Sequence, residues 1–334
     1  MKNKKWISLT AAVVLAVTAL PMTAFAAKKD GAEEKITKVT LNEVAHSIFY
    51  APQYVAIEEG YFAEEGLDLT LVTGFGADKV LTALISGEAD IGFMGAEASI
   101  YAYQEGATDP AVNFAQLTQR AGNFLVAREE MSDFKWEDLK GKKVLGGRKG
   151  GMPEMVFEYI LKKNGIDPQK DLTIDQSIDF GSTAAAFTGD DSAAYTVEFE
   201  PSATILEKEG AGYVVASLGE ASGYVPYTSY SAKESYMKEN PEIIQKFTNA
   251  LQKGMDYVQS HTPEEIAEVI APQFKETDLD TITTIVKRYY DQDTWKENLI
   301  FEKDSFELLQ DILEDAGELN TRAEYEKLVE TEYA

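Results

Sequence analysis

The sequence contains no cysteine and only two histidines among its 334 residues. The absence of cysteine excludes disulfide bonds, thiolate metal sites, a cysteine nucleophile and a lipid-modified N-terminal cysteine. The two histidines, His46 and His261, are too few for a multi-histidine metal site. We therefore predict a protein without catalytic residues, a metal site or a cofactor.

Positive charge is also scarce. Lysine and arginine together number 31, against 57 aspartates and glutamates, and the formal net charge is −26. Such a surface repels the phosphates of nucleic acids and anionic lipid head groups, so we expect no nucleic acid partner. An anionic small ligand stays open, because a helix N-terminus acts locally and can outweigh a distant net charge.

The sequence has one long apolar run, and it lies at the N-terminus. Three lysines within the first five residues precede an apolar stretch from Trp6 to Leu20, and Ala24–Ala26 fits the small-x-small pattern of a signal peptidase site. This pattern predicts a signal peptide over residues 1–26, with an uncleaved membrane anchor as the alternative. Loss of its three lysines would bring the net charge to −29. We expect an exported protein, periplasmic or on the extracellular face of the membrane.

Strand and helix patterns alternate along the first two thirds of the chain, which predicts an α/β fold of mainly parallel sheets with helices on both faces. The predicted strands are Thr37–Glu43, Leu67–Val72, Asp90–Met94, Lys143–Leu145 and Ser192–Val197. The predicted helices between them are Pro52–Glu59, Asp78–Ser86, Pro153–Lys163 and Ser182–Thr188. A helical C-terminal cover follows, over Pro241–Ser260, Pro263–Ala271, Thr277–Tyr290 and Phe306–Ala316.

Two lobes are expected, because about 300 residues exceed the usual size of a single core. Residues 86–93 align without a gap with residues 188–195, which favours two lobes built to one plan; chance likeness in a common pattern is the alternative. We predict a first lobe over residues 36–122, a second lobe over 123–222, and a return over 223–334 to the first lobe and the C-terminal helices. The crossings are placed near Gly122–Val126 and Gly223–Tyr230.

The segment from Phe49 to Leu67 resembles the opening of a family of substrate-binding proteins of ABC importers, which take up nitrate, sulfonates, taurine and pyrimidine precursors of thiamine. Ser86–Gly92, Leu139–Val144 and Glu200–Ala203 match further motifs in the family's order. The resemblance implies a two-lobed, periplasmic-binding-protein-like fold of type II, with two hinge crossings. It also implies a small-molecule ligand and ABC permease and ATPase subunits as partners, and we expect the protein to be a monomer.

In such a sheet the ligand lies beyond the carboxyl ends of the strands, so the loops there and the two crossings supply the candidate residues. The predicted ligand-binding residues are His46, Phe49, Tyr50, Phe75, Gly76, Ala77, Asp78, Gly95, Glu97, Asn123, Phe124, Arg148, Lys149, Gly150, Gly151, Met152, Gly181, Ser182, Glu198, Phe199, Glu200, Tyr224 and Tyr227.

Three groups of these residues suggest the ligand's chemistry. The glycine-rich stretch Gly146–Gly151 precedes a helix, and its backbone N–H groups suit an oxyanion or a carbonyl; a solvated turn is the alternative. Seven aromatic residues suit a planar ligand. Carboxylates such as Glu198 and Glu200 accept hydrogen bonds from amino groups, although Asp78 also fits a helix cap.

Together, acids and aromatics favour a planar, amino-bearing heterocycle such as a thiamine pyrimidine precursor. A sulfonate, taurine, nitrate or a riboflavin-type ligand is the alternative for import. Two alternatives belong to other classes. One is an enzyme like the pyrimidine synthase of similar fold, which depends on a cysteine-rich motif that this chain lacks. The other is a secreted scaffold protein.

Overall fold

The computed structural model describes residues 36–178 and 181–334. The predicted signal peptide lies outside these residues. Within the described ranges, no helix combines the length and the apolar character that a membrane span needs.

The strands of the described chain form two sheets of five strands each. They are β1 (Thr37–Glu43), β2 (Leu67–Thr73), β3 (Ile91–Met94), β4 (Ala111–Thr118), β5 (Asn123–Ala127), β6 (Lys143–Leu145), β7 (Thr173–Asp175), β8 (Tyr195–Phe199), β9 (Tyr213–Ser217) and β10 (Thr228–Lys233).

Both sheets have one strand order. The first sheet runs β2-β1-β3-β10-β4 and the second runs β7-β6-β8-β5-β9. In each sheet the fourth strand, β10 or β5, is antiparallel to both of its neighbours, and the other four strands share one direction. The prediction of mainly parallel sheets is therefore confirmed. The two antiparallel strands are the ones that the chain enters from the opposite sheet.

The two links between the sheets lie side by side. The chain leaves the first sheet after β4 through residues 119–122, and it returns from β9 to β10 through residues 218–227. The backbone N–H of Val225 donates to the Gln119 carbonyl (2.9 Å), and that of Tyr227 donates to the Thr118 carbonyl (3.3 Å). The predicted crossings extend into β5 and β10, and each observed link begins and ends a few residues earlier than its predicted crossing. The predicted lobe boundaries stay a prediction.

The α-helices of the described chain are α1 (Ala51–Glu58), α2 (Tyr61–Glu64), α3 (Ala77–Ser86), α4 (Glu97–Gln104), α5 (Met152–Lys163), α6 (Thr183–Gly189), α7 (Ser202–Lys208), α8 (Leu218–Ser222), α9 (Glu234–Glu239), α10 (Pro241–Ser260), α11 (Pro263–Ile270), α12 (Leu279–Asp291), α13 (Lys303–Ala316) and α14 (Tyr325–Leu328). Short 3₁₀ turns occupy Ile48–Tyr50, Trp136–Leu139 and Ala271–Gln273.

Local chemistry explains where the helices begin and end. Thr262 and Glu265 form a capping box that starts α11. Gly87 ends α3 in the left-handed conformation, at φ 81°. The long helix α10 buries one face against α1, and at their contact a Cβ on Gly254 would overlap the carbonyl oxygen of Pro52. Glycine therefore permits this close approach.

One hydrophobic cluster runs through both sheets and the C-terminal helices. In the C-terminal part, α10 and α11 pack against α1, while α13 packs against α5 beside the second sheet. The C-terminal helices thus contact the helices of both sheets, as the predicted helical cover requires. A smaller cluster lies between α3, α4 and the first sheet around Val80, Leu84 and Met94.

Candidate functional site

A cavity of about 240 Å³ lies between the two sheets, at the carboxyl ends of their parallel strands. The loops that follow β1, β2 and β3 of the first sheet line one side of it, and those that follow β6, β7 and β8 of the second sheet line the other. Sixteen of the predicted residues line this cavity, namely His46, Tyr50, Phe75, Gly76, Ala77, Gly95, Glu97, Asn123, Arg148, Gly151, Met152, Gly181, Glu198, Phe199, Glu200 and Tyr227.

Glu97, at the start of α4, brings a buried carboxyl group to the cavity. It is 3% exposed, and its Oε2 atom has no hydrogen-bond partner among the described residues. Burial raises the pKa of Glu97 to about 7, although the backbone N–H groups of Glu97 and Met152 and the charge of Arg148 act in the opposite direction. A Cβ on Gly95 would overlap this carboxyl, so the glycine leaves the space that it occupies.

Glu198, in β8, brings a second buried carboxyl group from the opposite sheet. Burial raises its pKa to about 7 as well. The Thr196 hydroxyl donates to Glu198 Oε1 (2.6 Å), and the Thr183 hydroxyl donates to Oε2 (3.0 Å). A carboxyl with a pKa near 7 can accept hydrogen bonds from a ligand when ionised and can donate one when protonated.

Glu200 lines the cavity, but its carboxyl is engaged within the protein. Its Oε1 accepts from the Thr204 hydroxyl (2.9 Å) and from Arg288 Nη1 (2.7 Å), and its Oε2 accepts from the Thr204 backbone N–H (2.9 Å). Its carbonyl oxygen accepts from the Ser47 hydroxyl (3.0 Å), which joins loops of the two sheets. The acidic group of Glu200 therefore fixes the start of α7 to α12, and both of its oxygens already accept hydrogen bonds.

His46 also has its polar atoms engaged. Its Nδ1 lies 2.8 Å from Glu43 Oε1, and its Nε2 lies 2.9 Å from the carbonyl oxygen of Gln273. The carbonyl only accepts, so Nε2 carries a hydrogen. The hydrogen bond with Glu43 raises the pKa of His46. His46 can therefore offer a ligand its ring but neither of its nitrogens.

The aromatic residues divide into lining and supporting groups. Tyr50, Phe75, Phe199 and Tyr227 line the cavity. Phe49 is fully buried behind them, with ring centroids 5.1 to 5.8 Å from those of Tyr50, Phe199 and Tyr227. Phe49 therefore positions the lining rings.

Two other predicted aromatics lie away from the cavity. The buried Phe124 packs near Tyr289, with ring centroids 5.8 Å apart. Tyr224 is exposed, and the Arg120 guanidinium lies 4.2 Å from its ring centroid.

The glycine-rich loop contributes part of its length. Gly146, Gly147, Arg148 and Gly151 line the cavity, whereas Lys149 and Gly150 do not. Lys149 Nζ pairs with Glu318 (3.3 Å), and the Gly150 N–H donates to Glu154 Oε2 (3.2 Å).

The remaining predicted residues, Asp78 and Ser182, lie beside the cavity. Arg148 Nη2 lies 3.7 Å from Asp78 Oδ1, so this ion pair joins the loops of the two sheets. Ser182 precedes α6 as its N-cap residue. Asp78 thus reduces the charge that Arg148 can offer to an anion.

Further residues, two of them in the glycine-rich stretch that the sequence singled out, line the cavity beyond the predicted ligand-binding residues. Some lie within or at the start of strands, and the prediction took its candidates from the loops after strands. Others adjoin predicted residues. They are Val44, Ala45, Ser47, Gly146, Gly147, Pro153, Thr183, Val197, Pro201, Ser202 and Thr228. In the part of the chain that the structure describes, no three His, Asp or Glu side chains come together as metal ligands.

Two α/β halves that enclose a cavity at their strand ends, joined by two links, have the fold of the solute-binding proteins of ABC import systems. The alkanesulfonate-binding protein SsuA of Xanthomonas axonopodis pv. citri, in its MOPS-bound structure, superimposes with a TM-score of 0.71 at 15% identity. The match covers 89% of this chain and 99% of SsuA.

Sequence comparison gives the family. Residues 48–266 match the NMT1/THI5-like family, and the chain belongs to it. It is 47% identical over 330 residues to YtlA of Bacillus subtilis (strain 168), which is named as a candidate binding protein; the match covers 99% of this chain and 97% of YtlA. It is 26% identical over 225 residues, 63% of each chain, to the 4-amino-5-hydroxymethyl-2-methylpyrimidine phosphate synthase of Aspergillus parasiticus.

Proposed function

We propose that this protein is the extracytoplasmic solute-binding component of an ABC importer, acting as a monomer, and that its solute is a planar, amino-bearing heterocycle such as a thiamine pyrimidine precursor. The observation that carries the proposal is the pair of buried carboxyls, Glu97 and Glu198, which line one aromatic cavity from opposite sheets. Hydrogen-bond donors on the solute would satisfy Glu97 Oε2, which has no partner among the described residues.

The size of the cavity supports a small solute. Its volume of about 240 Å³ is below the roughly 300 to 1,000 Å³ typical of sites for drug-sized ligands. A single heterocyclic ring with short substituents fits this volume better than a three-ring flavin does. Tyr50, Phe199 and Tyr227 supply the apolar walls against which such a ring would pack.

A sulfonate or nitrate is the second candidate solute, and the glycine-rich loop at the start of α5 favours it. Backbone N–H groups and the helix N-terminus suit an oxyanion. Two features weigh against it. Buried carboxyls repel an anion when they are ionised, and Arg148, a cation that lines the cavity, already pairs with Asp78.

Binding without catalysis is part of the proposal. The synthase of similar fold depends on a cysteine-rich motif, and this chain has no cysteine. A solute that contacts both sheets would favour the closed arrangement by population shift, and the two adjacent links would absorb the opening. The permease would then recognise the closed protein.

The test is direct identification of the solute. Protein purified from its native host is denatured, and the released small molecules are identified by mass spectrometry. Calorimetry then compares 4-amino-5-hydroxymethyl-2-methylpyrimidine with taurine, ethanesulfonate, nitrate and riboflavin. We expect the aminopyrimidine to bind most tightly. A sulfonate or nitrate that binds tightly while the aminopyrimidine does not would reject the proposed solute class.

A further inference from the structure

Phe75 has an unfavourable backbone conformation. It lies between β2 and α3 with φ at +56°, in the left-handed region. Bulky residues are rare there because the Cβ atom crowds the backbone. Of the non-glycine residues in the described ranges, Asp293 alone shares this feature, and aspartate tolerates it better.

The neighbouring backbone holds Phe75 in this conformation. The Gly74 N–H donates to the carbonyl oxygen of Glu43 (2.8 Å), and the Gly76 N–H donates to that of Val44 (3.1 Å). These acceptors are consecutive residues, the last residue of β1 and the one that follows it. The loop is thus fixed on both sides of Phe75, and a strained residue persists where its surroundings determine its conformation.

The side chain of Phe75 contributes little to the core. It is 63% exposed and belongs to neither hydrophobic cluster of the described chain. It nevertheless lines the cavity, and its exposure places it where the cavity meets solvent. The strain in the backbone of Phe75 is thus little offset by burial of its ring.

We propose that Phe75 is a preformed stacking surface, which covers one face of the bound solute where the cavity opens to solvent. The inference rests on the proposed function, because it requires a solute with a planar face. The Arg148–Asp78 ion pair adjoins the same opening, so α3 and the glycine-rich loop already meet there. Binding would remove the ring from water, and Phe75 would thus select planar solutes over tetrahedral ones such as sulfonates.

The experiment compares Phe75→Gly, Phe75→Asn and Phe75→Tyr with the unchanged protein. Glycine and asparagine tolerate positive φ and remove the ring, whereas tyrosine retains it. In the absence of solute, we expect Phe75→Gly and Phe75→Asn to melt at the same temperature or about 2 °C higher. Their affinity for 4-amino-5-hydroxymethyl-2-methylpyrimidine should be about tenfold lower than that of the unchanged protein. The affinity of Phe75→Tyr should stay within about threefold of it.

Tyr290→Ala is the matched control, because Tyr290, near the end of α12, is also an exposed aromatic ring and lies outside both the cavity and the two links. Its affinity should not change. A melting temperature of Phe75→Gly that falls by several degrees would give the ring a structural role and overturn the inference. Equal affinity of Phe75→Gly and the unchanged protein for the aminopyrimidine would overturn it as well.

Failure of the unchanged protein to bind the aminopyrimidine would count against the proposed solute class instead. The melting temperatures need no solute, so they still decide whether the fold itself uses the ring.

Discussion

Glu97 and Glu198 have the same degree of burial and the same pKa of about 7, but different partners. Glu198 receives one hydroxyl on each oxygen, from Thr196 and Thr183. Glu97 Oε2 receives none from the described residues. Hydroxyl groups of the protein thus donate to both oxygens of Glu198, whereas in the proposed complex a donor on the solute would bind Glu97 Oε2. The predictions below test that difference.

The largest expected effect is on stability across pH. Burial raises both pKa values from 4.5 to about 7. The folded chain therefore holds protons between these pH values that the unfolded chain has released. The free energy of unfolding consequently falls as pH rises through this window, by about 3 kcal/mol for each carboxyl.

The Glu97→Gln variant should lack the part of this fall in the free energy of unfolding that the Glu97 carboxyl causes. Without solute, the free energy of unfolding should therefore fall less in the variant than in the unchanged protein as pH rises from 5 to 8. Urea unfolding at each pH measures this difference. The same comparison with Glu198→Gln shows whether the two carboxyls differ. Unfolding free energies that stay parallel across this range would contradict a raised pKa.

The next effect concerns solute affinity. Glu97→Gln should weaken binding of 4-amino-5-hydroxymethyl-2-methylpyrimidine about 30-fold, or about 2 kcal/mol, because a hydrogen bond to a charged acceptor is lost. Calorimetry at pH 8 measures the change. The control is Glu105→Gln, which removes an exposed acid just after the same helix, α4. A matching loss in the control would show that net charge, not a specific contact, governs affinity.

A variant at Thr196 would leave one oxygen of Glu198 without its hydroxyl donor, as Glu97 Oε2 is. Thr196→Val removes the hydroxyl that donates to Glu198 Oε1 and keeps the shape of the side chain. The free energy of unfolding at pH 8 should fall by about 1.5 kcal/mol, and by less at pH 5, where the carboxyl is protonated. Thr196→Ser keeps the hydroxyl and should be closer to the unchanged protein. Equal losses at both pH values would point to packing instead.

The smallest effect is expected at Arg148. Its guanidinium is half exposed and lies 3.7 Å from Asp78, so Arg148→Ala should change the free energy of unfolding by less than about 0.5 kcal/mol. Affinity for the aminopyrimidine should fall two- to threefold. A loss of tenfold or more in calorimetry would favour an anionic solute.

Strand bounds were predictable where an apolar pattern has clear limits. The predictions for Thr37–Glu43 and Lys143–Leu145 match β1 and β6 to the residue. The buried strands β5 and β10 were predicted as chain crossings and not as strands. Their place in the sheets depends on pairing with strands distant in sequence.

The site was predictable as a set of loops, but not in the role of each side chain. Placing candidates after the predicted strand ends named both Glu97 and Glu198, which line the cavity. The same reasoning could not show that Arg288, 88 residues away, binds the carboxyl of Glu200, or that a carbonyl 227 residues away binds His46. Such partners come from the C-terminal helices, and their contacts arise only on folding.

The paired links between the sheets have a mechanical consequence. Two adjacent chain segments joined by the Val225–Gln119 and Tyr227–Thr118 hydrogen bonds form a ribbon, which bends across its flat face more readily than it shears along its length. In the closure that we propose, the two sheets would separate and meet again about this ribbon, and each return would bring Glu97 and Glu198 back to opposite sides of one cavity.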